Sequence, residues 1–218
     1  MGVAPIAGRT FCDWADPRGS ADSSSHTVSF KVSLPQVIAW VALAVGIVVT
    51  ERLLAHQRTG VADQAASASD QLMQAAFAAS LMTGIVGSLL VHWGSLPSSV
   101  SLLAGVLVGG TGLVVRGSAM HSLGRFYTLT PGIEADQRVI TSGLYRWVRH
   151  PGYVGILLQL LGLEILIGTP IALSASLLVV VAFPVRIAVE ERLLLDHFGA
   201  EYRAYRDHTR YRLVPGVF

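Results

Sequence analysis

The sequence predicts an all-α, polytopic membrane protein with about five transmembrane helices, and three observations support this prediction. Of its 218 residues, 52% are hydrophobic and only 14% are charged, whereas a typical soluble domain has about 25% charged residues. The apolar residues form stretches that approach the ~20 residues needed to cross a bilayer. The basic residues lie almost entirely between those stretches. An ordinary soluble enzyme and a disordered chain are both excluded, because the first needs a charged surface and the second low hydrophobicity.

Each predicted helix is an apolar stretch that ends at charged or turn-forming residues. The first ends before Glu51, the third before Arg116 and the fifth before Arg186. Only a turn at residues 168–170 separates the fourth helix from the fifth, so we expect these two to form a helical hairpin. The five predicted spans cover residues 34–49, 72–93, 96–115, 152–168 and 170–185.

The chain divides into three predicted regions. Residues 1–33 are polar and are expected to form a flexible tail, because no apolar core follows a basic start there, as a signal peptide would require. Residues 34–115 hold the first three helices. Residues 116–218 hold the last two spans and most of the charged residues. We expect the catalytic region there, with further helices after the last span.

Arginine and lysine are distributed unequally between the two sides of the predicted membrane. Alternate loops carry thirteen basic residues on one side and three on the other. Since basic loops stay in the cytoplasm, we predict an outside N-terminus and a cytoplasmic C-terminus. The loop 116–150 and the C-terminal segment then lie on the same side, where they can meet. The arginine-rich, lysine-poor composition suggests a bacterial inner membrane.

Two kinds of partner are not expected from the composition. A net charge of +2 is too small for a nucleic-acid-binding surface. The single cysteine, Cys12, cannot form a disulfide framework or a cysteine-based zinc site within one chain. We therefore expect membrane lipids and a lipophilic or small-molecule ligand as partners, with no nucleic acid and no metal.

Residues 141–155 carry the densest group of reactive side chains. They include two arginines, a histidine, two tyrosines and a tryptophan, directly before the fourth helix. Pro151 fits the first helical position, and the backbone N–H groups after it can bind a ligand rich in acceptors. The alternative is an aromatic and basic belt at the membrane interface.

The helical continuation of the fifth span is the second candidate. Arg186 and Glu190 lie 40° apart around a helix, so the two side chains can pair. The alternative is a solvated helix end with a weak surface ion pair.

Two further features are expected to be structural. Glu164, inside the fourth span, is predicted to reach the interface or to pair with a polar neighbour. The Gly105-x-x-x-Gly109 pattern in the third span predicts close helix packing.

Two motifs resemble the isoprenylcysteine carboxyl methyltransferase family. They occur in the order typical of that family, and the resemblance covers roughly residues 116–215. The first motif reads Ser142-Gly143-Leu144-Tyr145-Arg146-x-x-Arg149-His150-Pro151-x-Tyr153-x-Gly155. The second reads Glu190-Glu191-x-x-Leu194-x-x-x-Phe198-Gly199-x-Glu201-Tyr202-x-x-Tyr205 and ends in Arg212-Leu213-Val214-Pro215.

The resemblance implies an integral-membrane methyltransferase that uses S-adenosyl-L-methionine, in a site built from the cytoplasmic loop and the C-terminal helices. It implies that Arg186 binds the substrate, and Arg149 can bind an anionic group in the same way. Together with Glu190, these arginines are the predicted catalytic residues. The predicted cofactor-binding residues are Gln137, Arg138, Val139, Ile140, Tyr145, His150, Pro151, Gly152, Tyr153 and Glu190.

Three alternatives for the chemistry follow. Carboxyl O-methylation of a lipophilic or small acceptor is the first expectation, since a carboxylate is already a nucleophile. S-methylation of a thiol or N-methylation of a lipid amine is the second, and it needs a base, for which His150 or Glu190 is nearest. The third, a non-enzymatic transporter or assembly subunit, would need polar residues at the membrane midplane, where the spans offer chiefly Glu164.

Overall fold

The computed structural model describes residues 33–54, 64–90, 96–127 and 136–216, and helices connected by short irregular segments are the regular structure of this part of the chain. The all-α prediction is therefore confirmed for these residues. All but the last residue of the predicted tail lies outside them. The helices are α1 (Leu34–Leu54), α2 (Gln64–Leu90), α3 (Ser98–Leu123), α4 (Pro151–Ile167), α5 (Pro170–Ala175), α6 (Leu177–Phe198) and α7 (Ala200–His208), with 3₁₀ turns at Gly124–Phe126 and Gly143–Arg146.

The outer faces of the helices are apolar, as expected of a membrane protein. Val45 on α1 is 54% exposed and Val181 on α6 is 74% exposed, and soluble proteins rarely present large surfaces of this kind. Among the described helices, the stretches Ser98–Phe126 and Pro170–Phe198 are long and apolar enough to cross a bilayer, and two further helices are apolar but shorter. The count of five spans and the hairpin stay predictions.

Helices α3 and α4 pack with their backbones in contact. A Cβ atom placed on Gly162 would lie 2.4 Å from Gly109 Cα, and one placed on Gly112 would lie 2.5 Å from Gln159 N. Only glycine permits this approach, which is typical of helix pairs in membranes. The prediction that Gly105 and Gly109 serve helix packing is confirmed. The loop between α3 and α4 therefore starts and ends on two closely apposed helices.

Helix α6 packs against both α2 and α4. Leu160 of α4 forms a fully buried cluster with Phe183 and Ile187 of α6, and Met73 and Phe77 of α2 pack against this cluster. This packing places the N-terminal half of α2 beside the charged half of α6.

The segment after α6 folds back onto the loop before α4. Gly199, with φ +53°, ends α6 in the left-handed region, which glycine adopts without strain. After α7, the carbonyls of Tyr211 and Arg212 accept hydrogen bonds of 2.9 Å from the backbone N–H groups of Arg149 and His150. The predicted meeting of the two charged segments is confirmed.

Candidate active site

A cavity of about 320 Å³ opens between the loop before α4 and the charged half of α6. Parts of α2, α3, α4 and α7 complete its wall. Ligand sites commonly measure about 300–1,000 Å³, so this cavity has room for a small molecule. Pro151, the first residue of α4, is buried outside the wall. The other predicted site residues all line the cavity, namely Gln137, Arg138, Val139, Ile140, Tyr145, Arg149, His150, Gly152, Tyr153, Arg186 and Glu190.

The hydroxyl group of Tyr153 connects the two predicted residues of α6. It donates a hydrogen bond of 2.6 Å to Glu190 Oε2 and accepts one of 3.1 Å from Arg186 Nε. The sequence predicts a direct pair between Arg186 and Glu190, whereas the structure links them through this hydroxyl. The relay fixes the first turn of α4 against α6.

The remaining nitrogens of Arg186 contact α2. Its Nη1 donates to Ser69 Oγ at 3.2 Å, and its Nη2 lies 3.1 Å from Asp70 Oδ1. Asp70, Met73 and Gln74 also line the cavity. Sequence reasoning missed this wall because α2 precedes both motifs, and no pattern along α2 indicates a partner more than 100 residues away.

Glu191 is another residue for which the sequence predicted no role. Its buried carboxylate accepts hydrogen bonds from Arg149 Nε at 2.8 Å and from Arg212 Nη2 at 3.1 Å, and it lies 3.3 Å from His150 Nε2. The only available signal was its place beside Glu190 in the second motif. Glu191 therefore joins three segments around the cavity. Removing one partner of a buried charge pair leaves the other charge uncompensated, so the three contacts depend on this carboxylate.

The guanidinium group of Arg149 also binds the C-terminal segment. Its Nη1 donates to the carbonyls of Thr209 and Arg210 at 2.8 and 2.7 Å. These contacts, together with the one to Glu191, give Arg149 a positioning role in the wall of the cavity. The anion-binding role predicted for it stays a prediction.

Arg116, near the end of α3, also lines the cavity without having a predicted role. Its Nη2 donates a hydrogen bond of 2.6 Å to the Tyr127 hydroxyl, and its Nη1 donates one of 3.1 Å to the carbonyl of Gly152. It therefore ties the start of α4 to the end of α3.

The tyrosines around the cavity are held in their neutral form. Burial, followed by the negative charge of Glu190, raises the pKa of Tyr145 well above its ordinary value. Burial likewise raises the pKa of Tyr205, whose hydroxyl donates a hydrogen bond of 2.8 Å to the carbonyl of Tyr145. A neutral phenol can donate as well as accept, so Tyr145 can bind a ligand through either kind of contact.

Glu164 lies away from the cavity, near the other end of α4. It is 0% exposed, so it does not reach the interface. Its Oε1 accepts a hydrogen bond of 2.8 Å from the Ser80 hydroxyl, while its Oε2 has no hydrogen-bond partner. The predicted pairing with a polar neighbour is confirmed.

Comparison with known proteins agrees with the motifs. Residues 104–196 match the model of the isoprenylcysteine carboxyl methyltransferase (ICMT) family. The chain is 32% identical over 116 residues to a protein-S-isoprenylcysteine O-methyltransferase of Saccharomyces cerevisiae, covering 52% of this chain and 48% of the relative. It is 32% identical over 120 residues to the Homo sapiens protein of that name, covering 53% and 42%. The chain thus spans about half the length of the curated relatives that it matches.

One solved structure extends the likeness to the fold. The eukaryotic intramembrane Ras methyltransferase ICMT superposes with a TM-score of 0.56 at 20% sequence identity, over 85% of this chain and 69% of the other. At that identity the likeness shows the fold alone. It includes helices outside the family match, which starts within α3.

Proposed function

Because residues 104–196 of this chain match the model of the isoprenylcysteine carboxyl methyltransferase family, we propose that the protein is an integral-membrane methyltransferase. It transfers a methyl group to the carboxylate of a lipophilic acceptor at the cytoplasmic face of a bacterial inner membrane, with its N-terminus outside. The main support for the proposal is that residues of the two motifs, which are distant in the sequence, line one cavity.

The cavity fits S-adenosyl-L-methionine as the methyl donor. The donor contains an aromatic base, hydroxyl groups, an ammonium group, a carboxylate and a sulfonium. Glu190 offers a carboxylate to the hydroxyl or ammonium groups, and Tyr145 and Phe126 offer aromatic faces to the base or to the cation. The backbone of residues 137–140 and the first N–H groups of α4 offer further polar contacts. When bound, S-adenosyl-L-methionine supplies a methyl group that is already activated by the positive sulfur.

Arg186 is proposed to bind the carboxylate of the acceptor. An arginine can hold a carboxylate through two parallel hydrogen bonds, and the burial of Arg186 strengthens such a contact. Met73, Ile156 and Leu193 line the same cavity and offer an apolar surface to the rest of the acceptor.

Positioning is the main contribution expected from the protein. Holding two reactants in a productive orientation can lower a barrier by about 7–11 kcal/mol. A carboxylate needs no base, so the relay from Arg186 through Tyr153 to Glu190 serves to orient the two reactants. The buried wall around it excludes water that would compete as an acceptor.

Binding of the methyl donor tests the proposal directly. We expect Glu190→Ala and His150→Ala to weaken the binding of S-adenosyl-L-methionine at least about tenfold, since a hydrogen bond to a charged group contributes about 1.5–3 kcal/mol. The measurement is calorimetry on the full chain in detergent, with Asp196→Asn on the exposed face of α6 as the matched control. Absence of binding to the folded wild-type protein would overturn the proposal.

The chemistry of the product distinguishes the acceptor classes. Membranes containing the protein are incubated with methyl-labelled donor, and the labelled lipids are treated with mild base. Release of the label as methanol identifies an ester and therefore carboxyl O-methylation. Retention of the label identifies the alternatives, a thioether or a methylated amine.

A further inference from the structure

The N-terminal half of α2 contributes a carboxylate to the part of the cavity that contains Arg186. Asp70, Met73 and Gln74 occupy one face of α2, as expected for residues three and four positions apart, and all three line the cavity. Gln74 Nε2 donates a hydrogen bond of 3.2 Å to Asp70 Oδ2. The other oxygen, Oδ1, lies 3.1 Å from Arg186 Nη2. The Asp70 carboxylate is thus held between its own helix and the guanidinium group.

Asp70 contacts Arg186 where an acceptor carboxylate would bind. Tyr153 accepts a hydrogen bond from Nε of Arg186, Ser69 accepts one from Nη1, and Asp70 lies against Nη2. These nitrogens belong to the fork with which a guanidinium group recognises carboxylates. The Arg186 side chain is 5% exposed, and that of Asp70 is 20% exposed. Both residues line the cavity, so a carboxylate that binds Arg186 there lies close to the negative charge of Asp70.

We propose that Asp70 is a specificity-determining residue that competes with the acceptor carboxylate for Arg186; this rests on the proposed function. When an acceptor binds, Arg186 exchanges the carboxylate of Asp70 for that of the acceptor. The electrostatic gain from the new ion pair is therefore largely offset by the loss of the pair with Asp70. The apolar part of the acceptor then decides whether it binds. Small carboxylates are rejected, and lipophilic carboxylates are accepted.

The pairing with Asp70 also compensates the buried charge of Arg186. A buried arginine without a partner is strongly destabilising. Asp70 supplies that partner until the acceptor arrives, and its partial exposure gives it a way to move toward solvent when displaced.

Binding of a carboxylate that is not methylated tests the proposal. The probe is decanoate, added to the full chain in nanodiscs without methyl donor, with decanol as the uncharged probe of equal chain length. We expect Asp70→Asn to lower the Kd for decanoate at least about tenfold, because like charges placed side by side in a binding site are strongly unfavourable. The Kd for decanol should not change.

Two further variants complete the experiment. Asp196→Asn removes the same charge from a side chain that is 73% exposed and should leave the Kd for decanoate unchanged. Asp70→Ser replaces Asp70→Asn if the latter does not fold, and should also tighten binding. An unchanged or higher Kd for decanoate in a folded Asp70 variant overturns the proposal, because Asp70 would then only orient Arg186.

The two proposals fail in different ways. If the wild-type protein does not bind S-adenosyl-L-methionine, the proposed function fails whatever decanoate does. If the donor binds equally well to wild type and Asp70→Asn while decanoate does not bind more tightly to the variant, only the competition fails.

Discussion

Among the residues whose burial is described, two glutamates are buried, Glu191 on α6 at 4% exposure and Glu164 on α4 at 0%, yet their surroundings differ. Glu191 accepts hydrogen bonds from two arginines and lies beside a histidine. Glu164 has one neutral partner, Ser80, and one oxygen without any. Buried charge is therefore compensated at the end of the molecule that holds the cavity. At the other end, a carboxyl group is accommodated by a single hydroxyl.

This difference separates assembly of the site from packing of the helices. The contacts of Glu191 join a loop, a helix and the C-terminal segment. Apolar packing alone would not fix the orientation of these three segments. Glu164 and Ser80 join only α4 and α2, which already meet through apolar side chains. We therefore expect substitutions to have large effects at the first end and small effects at the second.

The largest effect is expected for Glu191→Gln. Loss of the negative charge leaves Arg149 and His150 buried beside a neutral group, and breaking a buried pair in this way costs about 3–5 kcal/mol. The free energy of unfolding in detergent should fall by that amount. Asp196→Asn, on an exposed pair of the same helix, should change it by less than about 1 kcal/mol. Equal effects in the two variants would contradict the central role of Glu191.

An intermediate effect is expected for Gly162→Ala at the contact between α3 and α4. The added Cβ would lie 2.4 Å from Gly109 Cα, so the helices must separate, which typically costs about 1–3 kcal/mol. Gly110→Ala is the matched control, because nothing lies within 4 Å of a Cβ at that position. Thermal unfolding of both variants would measure the difference. Equal stability would show that the two helices separate without cost.

The smallest effect is expected for Glu164→Gln. The amide oxygen can still accept the hydrogen bond from Ser80, so the change in unfolding free energy should not exceed about 1 kcal/mol. Binding of S-adenosyl-L-methionine should not change. A loss as large as that of Glu191→Gln would remove the distinction between the two glutamates.

The sequence predicted the helical fold and somewhat less than half of the residues that line the cavity, and both successes have a physical reason. Apolar stretches reveal helices directly. The two motifs contain residues that meet because the chain leaves the cavity along α4 and returns to it along α5 and α6. The prediction extended to residues such as Gln137 and Tyr145, which lie between α3 and α4, where α-helical periodicity gives no information. For those residues the family resemblance supplied the prediction.

The missed residues depend on contacts that no local pattern reveals. Asp70 meets Arg186 only because α2 packs against α6, and the packing of two apolar helices allows many alternative registers. Glu191 differs from Glu190 by one step of 100° around α6. That step decides which carboxylate lines the cavity and which is buried behind it, and the decision depends on where α7 folds back.

The hydrogen bonds from Arg149 and His150 to the carbonyls of Tyr211 and Arg212 also set the order of events during biosynthesis. The ribosome makes the loop before α4 some 60 residues ahead of its partners. Its side of the cavity therefore stays open until the segment near Arg212 has been synthesised and has folded back.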